Sequence, residues 1–154
     1  MSNAILEKRL MARGKRQRGV TLLELLTVIG IVAILASVAV PTYRKYLIRT
    51  QRSEAKIALL QLQTAQEKFY MQNNTFTDNV ADASPDGLGL LSTTETGKYE
   101  ISVDLAGDGQ TYTATAAPKA GGGQTDDNEC ESFTINQRGT HGVSGPKGAQ
   151  ACWR

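Results

Sequence analysis

The chain has 154 residues, a formal net charge of +2 and two cysteines, so it is long enough for one modest domain and an anchor. Residues 1–19 carry six basic side chains and one acid, a net charge of +5, which leaves −3 for the remainder. A mildly acidic body argues against a nucleic-acid binder, which typically presents a basic face. Two cysteines and the single histidine, His141, are too few to complete a four-ligand zinc site without help.

The first predicted element is a membrane helix over residues 20–40. These 21 residues contain one formal charge, Glu24, and at about 1.5 Å per residue they span the hydrocarbon core of a bilayer. Apolar side chains occur on every face, whereas a core helix of a soluble protein has one apolar stripe. Pro41 follows, removes one backbone donor and is predicted to bend the helix.

Charge on the two sides of this segment predicts its orientation. Six basic residues precede it, and the four that follow it most closely are Arg44, Lys45, Arg49 and Arg52. The balance favours a cytoplasmic N-terminus. Residues 42–154 are then expected outside the cytoplasm.

A cleaved signal peptide is the alternative interpretation of the apolar segment, with Ser37-Val38-Ala39 as its cleavage site. Such peptides have an apolar region of about 7–15 residues. The run here is longer, and Glu24 stands at its start, where an acid is unusual. Both features favour the membrane helix.

Glu24 calls for a specific explanation, since a charged side chain well inside lipid costs about 2.5–3.5 kcal/mol. One explanation is a carboxyl group near the membrane surface, protonated or reaching the headgroups. The other is a nearby cation. Cleavage after Gly19 would create an α-amine on Val20, one helical turn from Glu24 on the same chain and able to face Glu24 of a neighbouring chain.

An amphipathic helix is predicted over residues 42–73, as a continuation of the membrane helix. Its apolar side chains recur at steps of three and four. They are Ala55, Ala58, Leu62, Ala65 and Phe69. We expect the helix to reach about Gln72 and to end at Asn73-Asn74, which makes one helix of roughly 50 residues with its apolar stripe in the core.

The rest of the chain predicts a connecting loop and then strands. Residues 74–97 have no period and are rich in turn formers. Residues 99–105 and 111–117 alternate apolar and polar side chains around the turn Gly107-Asp108-Gly109, which is typical of a hairpin. Residues 132–136 predict a third strand.

The C-terminal region is predicted to be irregular and to be held by a disulfide. Residues 118–128 read as loop, and residues 137–148 are glycine-rich and show no strand pattern. A disulfide between Cys130 and Cys152 is the simplest use of two thiols outside the cytosol, and closing a loop of that size contributes about 3 kcal/mol in the chain-entropy model. The predicted class is α+β, with a long N-terminal helix packed on a three- or four-stranded antiparallel sheet.

The N-terminal spacing resembles that of type IV prepilins, in which a basic leader ends in glycine before an apolar helix. Here the leader ends at Gly19, the fifth residue after it is Glu24, and the twenty-second is Pro41. Thr21 matches the common second residue. Val20 stands where most members have phenylalanine, and other residues are tolerated there.

The resemblance implies the type IV pilin fold and four segments. Residues 1–19 are the leader, which starts at Met1 or Met11, and residues 20–41 are the transmembrane and assembly helix. Residues 42–73 continue that helix. Residues 74–154 form the αβ-loop, the sheet and a disulfide-bounded loop.

The resemblance also implies a pathway and partners. A prepilin peptidase would cut between Gly19 and Val20 and N-methylate Val20. The precursor would lie in the inner membrane, with its N-terminus cytoplasmic and its C-terminal domain periplasmic, and would reach a surface pilus through an assembly platform. Other pilin subunits would be its partners, and Glu24 would pair with the Val20 amine of an adjacent subunit, which sets register and neutralises two charges.

Further residues resemble minor pilins of the PilE type. These are the run FYMQNNTF at residues 69–76 and the closing Cys152-Trp153, while the pair Cys130 and Cys152 resembles the one that bounds the variable loop of many type IVa pilins. The implied function is a minor pilus subunit that supports twitching motility, adhesion or DNA uptake. The alternatives are a type II secretion pseudopilin, which the cysteine pair disfavours, and a secreted or membrane-anchored binding module.

No residue pattern indicates an enzyme, a cofactor or a metal site. His141 has no neighbouring nucleophile and reads as a solvated loop residue. Asp126-Asp127-Asn128-Glu129 lacks the ligand spacing of an EF-hand loop. Gly121-Gly122-Gly123 does not join a strand to a helix, as a phosphate-binding loop would. A nucleic-acid partner is not indicated, although basic residues that cluster on the folded surface would allow one.

Overall fold

The computed structural model of the chain describes residues 19–154. These residues divide into two units, with the boundary between Val40 and Pro41. All of the predicted leader except Gly19 lies outside the described residues. The four predicted segment boundaries remain predictions.

A single helix of 52 residues, α1 (Leu22–Asn73), confirms the predicted long helix and its end. The helix stops because Asn74 takes a left-handed conformation (φ 54°), which asparagine tolerates better than most residues. The backbone N–H of Asn74 still donates to the carbonyl of Tyr70 over 2.8 Å. Pro41 lies inside α1, and a bend there remains a prediction.

Four antiparallel strands form one sheet in chain order, β1-β2-β3-β4. Their bounds are β1 Tyr99–Ala106, β2 Thr111–Pro118, β3 Phe133–Asn136 and β4 His141–Val143, followed by the short helix α2 (Ala149–Cys152). The three predicted strands and the α+β class are confirmed. The expectation that residues 137–148 contain no strand is wrong, because β4 pairs with β3 through Phe133–Val143 and Ile135–His141.

The core of the second unit lies between α1 and the sheet. Leu59 and Leu62 of α1 are fully buried, as are Tyr99 and Phe133 of the sheet. Full burial of one leucine side chain is worth about 1.5–3 kcal/mol. The buried face of α1 differs slightly from the predicted stripe. It comprises Arg52, Ala55, Leu59, Leu62 and Gln66.

The end of α1 is tied to the first hairpin at a position that requires glycine. Gly109 has φ 79°, and a Cβ there would clash with the Thr75 hydroxyl. Phe76 donates its N–H to the Gly109 carbonyl over 2.8 Å, and the Thr75 hydroxyl donates to the same oxygen over 3.2 Å. The predicted turn at residues 107–109 therefore packs closely against the chain that leaves α1.

The connection between α1 and β1 is held to the helix by a buried amide. The Gln66 side chain donates to the carbonyl of Thr77 and accepts the Thr77 N–H over 3.1 Å. Further along, Leu88 and Leu90 pack against the core. These contacts hold the connecting segment beside α1, where residues 89–95 form one wall of a groove.

Candidate functional site

In the first unit, the start of α1 is capped by the residue before it. The Thr21 hydroxyl oxygen accepts the backbone N–H of Glu24 over 3.2 Å, and the Thr21 carbonyl accepts the N–H of Leu25 over 3.1 Å. Thr21 is thus the N-cap, and Glu24 is the third helical residue, the spacing of a capping box. An acid in this turn also interacts favourably with the helix dipole.

The predicted cleavage site immediately precedes this cap. Val20 is 71% exposed, and within residues 19–154 a Cβ on Gly19 would meet no atom closer than 4 Å. Folding of the described residues therefore does not require glycine at position 19. A requirement for glycine would come from a protein that binds this segment.

The first half of α1, residues 22–40, exposes apolar side chains in every direction. Each of its large apolar side chains is more than half exposed. Among residues 19–154, α1 is the one helix long and apolar enough to cross a membrane. A surface of this kind needs lipid or other apolar helices around it.

In the second unit, a bidentate ion pair joins α1 to the segment before Cys130. Arg52 donates from Nε to one Asp127 oxygen over 2.7 Å and from Nη2 to the other over 2.6 Å. The Asp127 carboxylate is buried and also accepts the backbone N–H groups of Glu129 and Cys130, each over 3.2 Å. Charge-assisted pairs with this geometry are strong and directional.

Neighbouring charges and hydrogen bonds shift the pKa values of this pair and of Glu129. Burial raises the pKa of Asp127, but the hydrogen bonds from Arg52 and from the Cys130 N–H outweigh it, so this pKa lies below its ordinary value. The hydrogen bond to Asp127 raises the pKa of Arg52. Glu129 contacts Lys147 and Arg52, each over 2.9 Å, and these two cations lower its pKa to about 2.

Sequence reasoning weighed these acids as calcium ligands and missed their partner, Arg52. Both Asp127 and Glu129 are engaged by cations of the same chain. Within the described part of the chain, no group of three or more acidic, histidine or cysteine residues could hold a metal ion.

The predicted disulfide is confirmed. Cys130 and Cys152 are bonded, with their Cα atoms 5.9 Å apart, and both are buried. The bond pins α2 against the segment that precedes β3. The C-terminal end of the second unit is therefore held in place by a covalent bond.

Trp153, next to the disulfide, packs against the last two strands of the sheet, β3 and β4. Its ring lies 5.9 Å from that of Phe133 and stacks on His141 at 3.8 Å with an interplanar angle of 7°. Its Nε1–H donates to the Gly142 carbonyl over 3.0 Å. His141 is exposed, as predicted, but it belongs to β4 and not to a loop.

A groove that the sequence did not predict lies on one side of α1. It encloses about 320 Å³ between Ile57 and Ala58 of the helix and Leu90 and Leu91 of the connecting segment. Glu54 and Glu95 also line it. The lining of the groove therefore combines apolar side chains with two acids.

Comparison with known proteins begins with curated relatives. The chain is 43% identical over 63 residues to the type IV major pilin protein PilA of Myxococcus xanthus (strain DK1622), covering 41% of this chain and 29% of the relative. It is 38% identical over 90 residues to the type IV major pilin protein PilE1 of Neisseria gonorrhoeae, covering 58% of this chain and 40% of the relative. The matched segment thus spans less than half of either relative's length.

Among solved structures, the non-core minor pilin PilV of Neisseria meningitidis is similar to this chain. It has 22% sequence identity and a TM-score of 0.49, and the match covers 65% of this chain and 89% of that chain.

Two family models match adjoining parts of the chain. Residues 14–40 match the prokaryotic N-terminal methylation motif, which includes the predicted cleavage site and Glu24. Residues 41–134 match the family described as type IV minor pilin ComP, DNA uptake sequence receptor. The latter match covers more than half of the chain. The chain is therefore a type IV pilin and belongs to the ComP minor pilin family.

Proposed function

We propose that this protein is a minor subunit of a type IV pilus that enters the fibre through residues 20–41 after removal of residues 1–19. One observation carries the proposal. A helix that is apolar and exposed on every face directly follows an exposed Gly19–Val20 bond, with an acid at the fifth position after the glycine. Lipid would cover this surface in the precursor, and neighbouring helices would cover it in the fibre.

Glu24 is proposed to set the register between subunits. Its carboxylate would pair with the methylated α-amine of Val20 on an adjacent subunit, since both charges would otherwise be costly in an apolar surrounding. The precursor is proposed to lie in the inner membrane with a cytoplasmic N-terminus, where a prepilin peptidase and the assembly platform act on it. The disulfide supports a periplasmic position for the C-terminal domain.

N-terminal sequencing and mass spectrometry of the protein from sheared surface fibres test this proposal. We expect the chain to start at N-methylated Val20. A start at Val40 would instead show a cleaved signal peptide. Recovery from the periplasm alone, with none in the fibres, would indicate a secretion pseudopilin.

Capping and register roles of Glu24 are separated by two substitutions. Glu24→Gln removes the charge but keeps a residue suited to the capping box at this position, whereas Glu24→Ala removes both. If register depends on the charge, both variants are cleaved normally but are displaced from fibres when co-expressed with the wild-type chain. Incorporation of Glu24→Gln at the wild-type level would limit Glu24 to starting the helix. Thr21→Ser, which keeps the cap, is the control.

DNA uptake is the second function proposed, because the family match over residues 41–134 carries the description of a DNA uptake sequence receptor. Deletion of the gene is expected to lower natural transformation more than twitching motility or surface attachment. Restoring the deletion strain with the intact chain is the control. Equal loss of all three activities would indicate a general role in building the fibre.

A further inference from the structure

A small cavity with two cations in its wall lies beside the first turns of the second unit. It encloses about 230 Å³ between α1 and the loop that follows β2. On the helix side it is lined by Arg44, Leu47, Ile48 and Gln51. The last three follow Arg44 by three, four and seven residues, so all four lie on one face of α1. Lys98, which directly precedes β1, lines the opposite side.

The wall opposite α1 is held in place by contacts within the chain. The Lys98 carbonyl accepts the N–H of the residue after β2 over 2.8 Å, and a Cβ on Gly122 would lie 3.5 Å from Cδ of Lys98. Gln124 is fully buried and donates from Nε2 to the Ile48 carbonyl over 3.3 Å and to the Tyr99 hydroxyl over 2.7 Å. The loop is therefore fixed to both α1 and β1, and the cavity is formed before a ligand arrives.

Arg44 and Lys98 line this cavity without a neutralising carboxylate. In the described part of the chain, the ion pairs use only Arg52 and Lys147 as cations. Asp126 also lines the cavity, but it is exposed and pairs with neither cation. Two positive charges and one negative charge leave the lining with a net charge of +1. A singly charged anion would neutralise it.

The size and the position of the cavity favour a lipid headgroup. Sites that hold drug-sized ligands enclose about 300–1,000 Å³, so a cavity of about 230 Å³ suits a smaller polar group. Arg44 follows the predicted membrane segment, residues 20–41, by three residues. Anionic headgroups at the surface of the membrane attract basic residues that are this close to the end of a membrane helix. The acyl chains of such a lipid would stay in the bilayer.

We propose that this cavity binds the headgroup of phosphatidylglycerol. Arg44 and Lys98 hold the phosphate, the arginine through paired N–H groups and the lysine as a point charge. Asp126 accepts a hydrogen bond from the glycerol hydroxyl groups. Phosphatidylglycerol carries one negative charge, whereas phosphatidylethanolamine is neutral overall and would leave the charge of the lining uncompensated. The inference rests on the membrane position proposed for residues 20–41, and the bound lipid ties the second unit to the membrane until the subunit enters the fibre.

The test uses the full-length chain purified from membranes in neutral detergent. Phosphatidylglycerol or phosphatidylethanolamine with the same acyl chains is added at equal concentration, and native mass spectrometry counts the lipid molecules that stay bound. Arg44→Ala/Lys98→Ala removes both cations of the cavity. Lys45→Ala/Lys119→Ala, two exposed lysines outside the lining, is the charge-matched control.

Thermal unfolding checks that each double variant is folded. If Arg44→Ala/Lys98→Ala is unstable, the single variants Arg44→Ala and Lys45→Ala decide the question. Both side chains are exposed and adjacent in the sequence, and only Arg44 lines the cavity.

The wild-type chain is expected to retain one phosphatidylglycerol and much less phosphatidylethanolamine. Each basic residue near an anionic membrane strengthens binding about fivefold, so the cavity variant should bind phosphatidylglycerol at least about tenfold more weakly, with the control unchanged. Equal losses in both double variants would show a general attraction by surface charge and overturn the site. Equal retention of the two lipids by the wild type would overturn recognition by charge. Displacement of the lipid by inorganic phosphate at the same concentration would assign the cavity to a free anion.

Failure of the lipid site and failure of the membrane proposal give different results. A chain that stays in the membrane fraction but retains no phosphatidylglycerol would overturn the lipid site alone. Release of the chain from membranes by alkali without detergent would overturn the membrane position of residues 20–41.

Discussion

The two halves of α1 belong to one helix but face different surroundings. In residues 22–40, every large apolar side chain is more than half exposed. In the second half, five side chains are buried against the sheet and its loops, among them an arginine held by Asp127. The second half finds its partners within its own chain, and the first half requires lipid or other subunits. Stability of the second unit and assembly of the fibre are therefore separable by substitution.

The largest effect on stability is expected from Asp127→Ala. This change leaves the Arg52 guanidinium buried without its main partner, which costs about 3–5 kcal/mol in comparable pairs. Unfolding by denaturant, followed by fluorescence of Trp153, the only tryptophan, measures the loss. Asp126→Ala removes an exposed neighbouring acid and is the control. Equal stability of the two variants would show that the pair does not hold the second unit together.

Loss of the disulfide is expected to have the next effect. Cys130→Ser/Cys152→Ser opens a loop with a sequence separation of 22 and should lower the free energy of unfolding by about 3 kcal/mol. The membrane-embedded fraction should not change, because the bond lies in the second unit. Treatment of the wild-type chain with a reductant should reproduce the loss, and the variant should be insensitive to it. A variant as stable as the oxidised wild type would contradict this account.

A matched pair of substitutions tests the two halves of α1 directly. Val32 is 56% exposed in the first half and Ile57 is 55% exposed in the second. Val32→Asp puts a charge into the apolar surface at a cost of about 2.5–3.5 kcal/mol, so the amount of protein in sheared fibres should fall steeply. Ile57→Asp is a surface change expected to stay within about 0.5 kcal/mol. Equal amounts of the two variants in sheared fibres would show that the two halves of α1 do not differ in their role in assembly.

Acid should weaken the second unit gradually through Glu129. Because its pKa falls from 4.5 to about 2 on folding, Glu129 stabilises the folded chain above pH 4.5. This contribution disappears as the pH falls towards 2. Glu129→Gln should thus be slightly less stable than the wild type at neutral pH, and the two unfolding curves should converge between pH 4.5 and about 2. A difference that stays constant over this range would mean that the Glu129 contacts do not depend on its charge.

The sequence predicted those elements whose pattern is local. Apolar side chains repeat about every 3.6 residues along an amphipathic helix and every two residues along a half-buried strand, and either repeat is visible within a single segment. α1, β1, β2 and β3 each show such a repeat. β4 has three residues, one of them Gly142, and shows no alternation. It is a strand because β3 lies beside it and Trp153 lies over it, and neither contact is visible in the local sequence.

The residues of the candidate sites likewise divide into those with a local sequence pattern and those that come together only in the fold. Gly19, Val20 and Glu24 are recognisable by spacing, and the Thr21 cap has the same local signature, which sequence reasoning overlooked. Arg52 and Asp127 are 75 residues apart, and the helical pattern alone places Arg52 among solvent-facing polar residues.

The shortness of the outer strand β4 affects how the second unit can associate with other chains. An open outer strand offers unpaired backbone groups to any other extended chain and so promotes aggregation. β4 has only three residues, and Trp153 stacks on one of them, His141. So short an outer strand offers few unpaired backbone groups, which makes this edge of the second unit a poor template for adding strands edge to edge.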